Sequence, residues 1–189
     1  MSTLKVTNIK HASSGSNNIV LNSNGTVTFP NNENIIQVVQ THKTDTSVYY
    51  NVDANSYTPD FISRSITMSS SSNKALVIAN VAVGLDSNHQ PYPVLRRGSS
   101  DIFRGDSSFG GSRQRVSSTG PIYDNNIPMT YTMVFLDEPN TNGSVTYNVY
   151  SRHSDNGNRH VYINRGDTNN NEYYYPNCSS SLIVCEVTS

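Results

Sequence analysis

Tryptophan is absent from the sequence, and cysteine occurs only twice in 189 residues. No run approaches the ~18 consecutive apolar residues of a membrane helix, so no membrane insertion is expected. Charge is scarce as well. Asp, Glu, Lys and Arg make up 14% of the chain, against roughly 25% in ordinary soluble domains. The 13 basic and 14 acidic groups leave a formal charge of -1, which denies the chain the basic field that a nucleic-acid binder needs. Low charge also sets it apart from disordered sequences, which combine low hydrophobicity with strong self-repulsion. The opening MSTLKVTNIK lacks the apolar core of a secretory signal, so synthesis in a cytoplasm without export is expected. Cys178 and Cys185 both fall in CSSSLIVCEV. In one strand, seven residues at about 3.3 Å each hold the sulfurs roughly 23 Å apart, too far for a disulfide. Two free thiols are expected.

Small polar residues fill the space that charge leaves. Serine, threonine and asparagine number 28, 16 and 25. Apolar residues recur with period two and almost nowhere with helical period. The alternation predicts strands over 19–21, 26–29, 35–40, 47–51, 61–68, 75–83, 93–96, 102–104, 130–136, 144–152, 160–164 and 182–187. Asn-Gly pairs at 24–25, 142–143 and 156–157 tolerate positive φ and predict hairpin turns. The segments NSNGTVTF and NTNGSVTY nearly match, one hairpin chemistry used twice. The middle pair predicts a hairpin that sets Tyr131, Met133 and Phe135 opposite Val145, Tyr147 and Val149 or their alternates. The fold class is all-β: an antiparallel β-sandwich or jelly-roll head over 35–189, preceded by a short N-terminal β-hairpin arm over 1–34. The arm's apolar residues, Ile19, Val20, Leu21, Val27 and Phe29, are too few to build a core alone, so it must dock on something. Residues 105–128 form a long irregular span, expected as a surface excursion of functional or interface character.

Catalytic signatures are missing. No nucleophile elbow, Walker loop or dinucleotide fingerprint occurs, and the acids lie mostly beside turn residues, where they cap their own backbone. The chain is expected to be no enzyme and to need no cofactor or metal. His153 and His160 flank the Asn156-Gly157 pair and could meet across a hairpin, more simply as an exposed pair than as metal ligands. Arg-Gly-Asp occurs at residues 104–106 and 165–167; turn chemistry explains both copies better than integrin recognition. Five of nine arginines, Arg96, Arg97, Arg104, Arg113 and Arg115, fall within twenty residues, a density that could hold a carboxylate, a phosphate or a subunit partner. Tyr173, Tyr174 and Tyr175 stand in a row inside NNNEYYYPN, where aromatic faces beside amides suit sugar rings or a protein interface. Candidate ligand contacts are therefore Tyr173, Tyr174, Tyr175, Arg104, Asp106, Arg113 and Arg115.

The segments MSTLKVTNIK, SGSNNIVLNSNGTVTFP, IIQVVQTHKTDT, SNKALVIANVAVG, RGDSSFGGSRQRV, MVFLDEPNTNGSVTYNVYSR and YINRGDTNNNEYYYPNCSSSLIVCEV, in this order, resemble tail-fibre-like virion structural proteins of marine tailed phages, cyanophages and their relatives. The resemblance spans essentially the whole chain. It implies an N-terminal attachment arm followed by a β-sandwich head displayed on the virion as a homotrimer. Two features depart from the pattern: the arginine at 104, where an apolar or small residue is expected, and the tyrosine-rich segment 172–175. Two readings follow. In one, the arm binds other virion proteins and the head attaches to a host surface polysaccharide through many weak sites. In the other, the protein is a capsid decoration, head fibre or tail adaptor with structural subunit contacts alone.

Overall fold

A computed structural model describes residues 5–25, 27–28, 34–54, 56–87, 89–106, 113–120 and 124–188. The described chain is all-β and contains no helix. Three strands form the arm: β1 (Asn8–Ile9), β2 (Ile19–Leu21) and β3 (Val27–Thr28), paired in the order β1-β2-β3. The hairpin expected at Asn24-Gly25 is present, with Gly25 at a φ of 82° and its N–H donating to the Asn22 carbonyl at 3.0 Å. Among the described residues of this arm none is buried. Phe29 lies outside the described residues.

The head contains β4 (Ile35–Lys43), β5 (Ser47–Val52), β6 (Ile62–Thr67), β7 (Lys74–Leu85), β8 (Pro91–Arg97), β9 (Ser100–Phe103), β10 (Met129–Asp137), β11 (Ser144–His153), β12 (Arg159–Ile163) and β13 (Ser180–Val187). They form two antiparallel sheets packed face to face. One has six strands built around β7, and the other has four in the order β6-β11-β8-β9. The core lies between them. From the first sheet come Val77, Val81, Val83, Leu85, Met133, Leu182 and Val184, and from the second Ile66, Leu95, Tyr147 and Val149. KALVIANVAVGL, long, rich in β-branched residues and free of Pro, suits the central strand, which has hydrogen-bonded neighbours on both edges.

β10 lies along one edge of β7 from Ala75 to Val83. The other edge is shared. β13 occupies Lys74 to Asn80 and β12 occupies Val83 to Leu85. β12 and β13 therefore run in line, as one long strand from which residues 164–179 leave and return. β4 and β5 lie outside them, also in line, with a break at residues 44–46. Asn164 fastens both interruptions. Its side-chain amide donates to the Lys43 and Asp45 carbonyls at 2.9 and 3.0 Å, while its Oδ1 accepts from the Ser180 hydroxyl at 2.6 Å.

All twelve expected strands form, with a further short one at Asn8–Ile9. Two expected hairpins do not. β10 pairs only with β7, while β11 pairs with β6 and β8, so the Asn142-Gly143 turn carries the chain from one sheet to the other. Its positive φ falls on Asn140, at 52°. Tyr131 and Met133 share the core between the sheets with Tyr147 and Val149 instead of pairing with them on a ladder. The Asn156-Gly157 turn likewise joins β11 to β12 in the opposite sheet. β13 begins at Ser180, so Cys178 precedes the strand instead of lying in it; both thiols are free, and burial pushes both up in pKa.

Candidate functional site

The outer face of the four-stranded sheet carries the densest polar chemistry of the head. Register places Arg96 of β8 beside Asn148 of β11, Val94 beside Tyr150, and Tyr92 beside Arg152. On the other side of β8, Asp101 of β9 is paired with Arg96. Alternation turns these residues outward, because Leu95, Tyr147 and Val149 point into the core. Tyr57 arrives from the segment before β6. That segment is laid along β11 by Thr58, whose N–H donates to the Ser151 carbonyl at 2.9 Å and whose Oγ1 accepts from the Ser151 N–H at 3.0 Å.

These side chains form one stack. The Arg96 guanidinium lies 5.0 Å from the Tyr57 ring centre and 4.8 Å from that of Tyr150, and Arg152 lies 5.0 Å from Tyr57 on its own side. The two rings meet edge to face at 6.1 Å. Such cation–π contacts gain strength as water is excluded. Val94 beneath them is fully buried. Asp101 ties the end of the stack. Its Oδ2 accepts from the Tyr57 hydroxyl at 2.8 Å and from Arg104 Nη1 at 3.0 Å, and Arg96 Nε stands 2.9 Å from its Oδ1. Burial raises the Tyr57 phenol in pKa, and the Asp101 hydrogen bond adds to it, so Tyr57 stays a donor. Arg152 differs. Its Nε is shielded and has no hydrogen-bond partner, and its guanidinium has no carboxylate partner among the described residues.

Of the arginine concentration, Arg96, Arg104 and Arg115 gather here; Arg115 Nε donates to the Gly105 carbonyl at 2.7 Å. Arg113 and Asp106 are both exposed, and each makes an interaction of its own. Arg97 leaves the group because the next residue in a strand faces the opposite way. Its Nη1 donates to the buried Asp137 at 2.8 Å, and Tyr147 donates to the same carboxylate at 2.7 Å, bridging the two sheets. Residues 113–118 are no free excursion. Ser117 N donates to the Pro93 carbonyl, Gly105 N to Val116, and Gln114 Nε2 to His153, which strap the segment along β8. Tyr57, Tyr92, Tyr150 and Arg152 were not among the expected contacts. The alternation in PYPVLRR and YNVYSR was the available signal, since it puts Tyr92 with Arg96 and Tyr150 with Arg152 on single faces.

Tyr173, Tyr174 and Tyr175 occupy the excursion 164–179. Tyr173 is 97% exposed and Tyr174 51%, and successive rings meet edge to face at 5.2 and 4.5 Å. The second Arg-Gly-Asp lies at the base of this excursion and serves the scaffold. Asp167 accepts from Tyr162 and from Asn125, and Gly166 is pressed against the Asn126 backbone. The two histidines stay apart. His153 is fully buried, with Nε2 donating to the Val52 carbonyl at 2.8 Å, while His160 lies beside Asp86 and Tyr50. No cluster of His, Cys, Asp and Glu suited to a metal ion occurs among the described residues. In the arm, Ile19 and Val20 are half-buried, and Leu21 and Val27 are exposed. No protein-family model matches this chain, and no curated protein matches it.

Proposed function

We propose that the chain is a phage virion structural protein of fibre or knob type. Its arm, residues 1–34, joins other virion proteins, and its head, residues 35–189, assembles as a homotrimer that meets a host surface polysaccharide. The observation that carries this reading is a pair of incomplete surfaces. The described arm has no buried residue. The outer face of the six-stranded sheet carries an exposed apolar patch toward one end, which gives way along the strands to Thr132, Asn80, Ser181 and His42. Leu136, Leu76, Cys185 and Val38 form one row across it, and Val134, Ile78 and Ile183 most of the next, which Gln40 closes. Val38 is 60% exposed, Ile36 50% and Val134 53%. A patch of this kind marks an interface, and charge is confined to its rim, at the Lys74–Glu138 pair, as in the core of a subunit contact.

The occupant is a second copy of the chain. The arm leaves the head at Asn34, whose N–H donates to Thr188 Oγ1 and whose carbonyl accepts from Thr188 N, beside Ile35 and Ile36 at the corner of this face. Copies arranged about one axis bring their apolar sheets together and gather their arms at one end. Their four-stranded sheets then face outward, with the arginine–tyrosine stack on display. Sedimentation equilibrium tests the assembly: a trimer is expected, and replacing Val38 and Val134 together with Lys yields a folded monomer. A wild-type monomer at micromolar concentration would refute it.

The competing reading, a capsid decoration, head fibre or tail adaptor with structural contacts alone, draws on the same apolar face, which serves subunits and not ligands. Replacing Tyr173, Tyr174 and Tyr175 with Ala separates the two. Host adsorption falls if these rings grip sugars, and it is unchanged, with intact particles, if the protein is only structural.

A further inference from the structure

We infer that the outer face of the four-stranded sheet is a binding site for an acidic polysaccharide, one bearing carboxylate or sulfate groups, with Arg152 as the residue that receives the anion. This rests on the attachment reading above and gives it a site and a ligand class other than the tyrosine excursion.

The argument starts from an imbalance. Arg96, Arg104 and Arg152 bring three positive charges, and Asp101 brings one negative one, a local excess of two. The rest of the chain does not share it, since the net charge is -1. Arg96 and Arg104 are committed to Asp101. Arg152 is not: its guanidinium is stacked on Tyr57 with Nε shielded and unpartnered. The shielded Nε is out of a ligand's reach, so an anion meets the Nη1/Nη2 end of the fork, and stacking on Tyr57 restrains the guanidinium, which lowers the entropy lost on binding.

The neighbours select the ligand class. Tyr57, Tyr92 and Tyr150 are half-buried around the cations, so apolar ring faces lie beside the charge. Sugar rings need both, their C–H faces on an aromatic ring and their substituents on fixed donors. A nucleic acid needs a continuous basic track along its backbone, and this cluster is local. The face is open rather than enclosed, which suits a repeating chain gripped by several copies of the head, each weakly.

The test uses the full-length protein on immobilised polygalacturonate, dextran sulfate and neutral dextran at physiological salt. Retention on one or both acidic matrices, with elution by added salt, is expected, and which one retains it identifies carboxylate or sulfate as the source. Arg152→Gln should weaken retention roughly tenfold, the worth of one charge-assisted hydrogen bond. Arg152→Lys should restore it only in part, because charge returns without the fork. Wild-type melting temperatures for both variants would show that the fold is intact. Undiminished retention of a folded Arg152→Gln protein would overturn the site. Retention on neutral dextran alone would also overturn it while leaving surface attachment standing. Retention on none of the three would overturn the site, and normal host adsorption by particles carrying Ala at 173–175 would then remove the attachment reading as well.

Discussion

Asn164 has no exposed surface and a φ of 62°, and each of its polar atoms is in use. Its N–H donates to the Ala82 carbonyl and its own carbonyl accepts from Cys178 N, beside the three side-chain bonds already described. Asn is the residue for this position because it tolerates the left-handed region and carries both a donor and an acceptor. Asn164→Ala should cost about 2–4 kcal/mol in urea denaturation, since two carbonyls and a hydroxyl lose their partner. Asn164→Gly removes the backbone strain but not that loss, and should fall between. Asn164→Asp should be worse than Ala, because a carboxylate would face the Lys43 and Asp45 carbonyls. Glu186 makes a second buried node. It is 1% exposed, and its Oε1 accepts from Ser69 N, Ser69 Oγ and Asn73 Nδ2, each at 2.7 Å. Burial pushes its carboxyl up, but the hydrogen bonds from Asn73 and Ser69 together outweigh that and hold it below its ordinary 4.5. A lowered folded-state pKa contributes stability that is complete above about 4.5 and disappears as pH falls through the folded value. Thermal melts from pH 7 to 3 should therefore drop more steeply for the wild type than for Glu186→Gln, which starts lower and lacks this titration.

Elements show what turn chemistry decides and what it leaves open. SNGTV and TNGSV are nearly one sequence, and the first closes a hairpin between β2 and β3 while the second arches from β10 to β11 across the core. Asn-Gly lets the chain reverse; whether the two strands then pair depends on which edges their apolar faces can reach. Here β7 offers β10 a nine-residue ladder, and β11 finds β6 and β8. Strand positions were thus legible from alternation, and strand partners were not. The candidate site divides the same way. Arg96, Arg104 and Arg115 stood out by density along the chain, whereas Tyr57 and Arg152 come from segments far apart in sequence and join only through register. Arg97 belonged to the dense run yet faces the core. The excursion 164–179 is tied to residues 124–127 through Gly166, where an added Cβ would lie 2.0 Å from the Asn126 carbonyl oxygen, and to β7 through Gly84, where one would lie 2.6 Å from the Arg165 carbonyl oxygen. Gly166→Ala should cost about 2 kcal/mol or more. Hydrogen exchange should quicken at 124–127 and 165–168 and stay unchanged in β11.

For the whole molecule, the two sheets have different outer faces, one with an apolar patch and one rich in arginine and tyrosine, and in the proposed assembly this asymmetry gives the head an inside and an outside. No described residue of the arm is buried, so its removal should leave the head intact. A protein beginning at Asn34 should melt within a few degrees of the full chain, and, on the proposed virion reading, particles made with it should lack the protein. Incorporation of the shortened protein at normal levels would show that the head alone is recruited. The in-line arrangement of β12 and β13 carries a practical corollary. Because Asn164 and Ser180 fasten the two ends to each other and β7 runs past the gap unbroken, the ladder does not register how much chain lies between them. Foreign peptides grafted in place of residues 169–177 should be carried on a rigid base, which makes this position a natural port for epitope display and for exchanging recognition loops among variants.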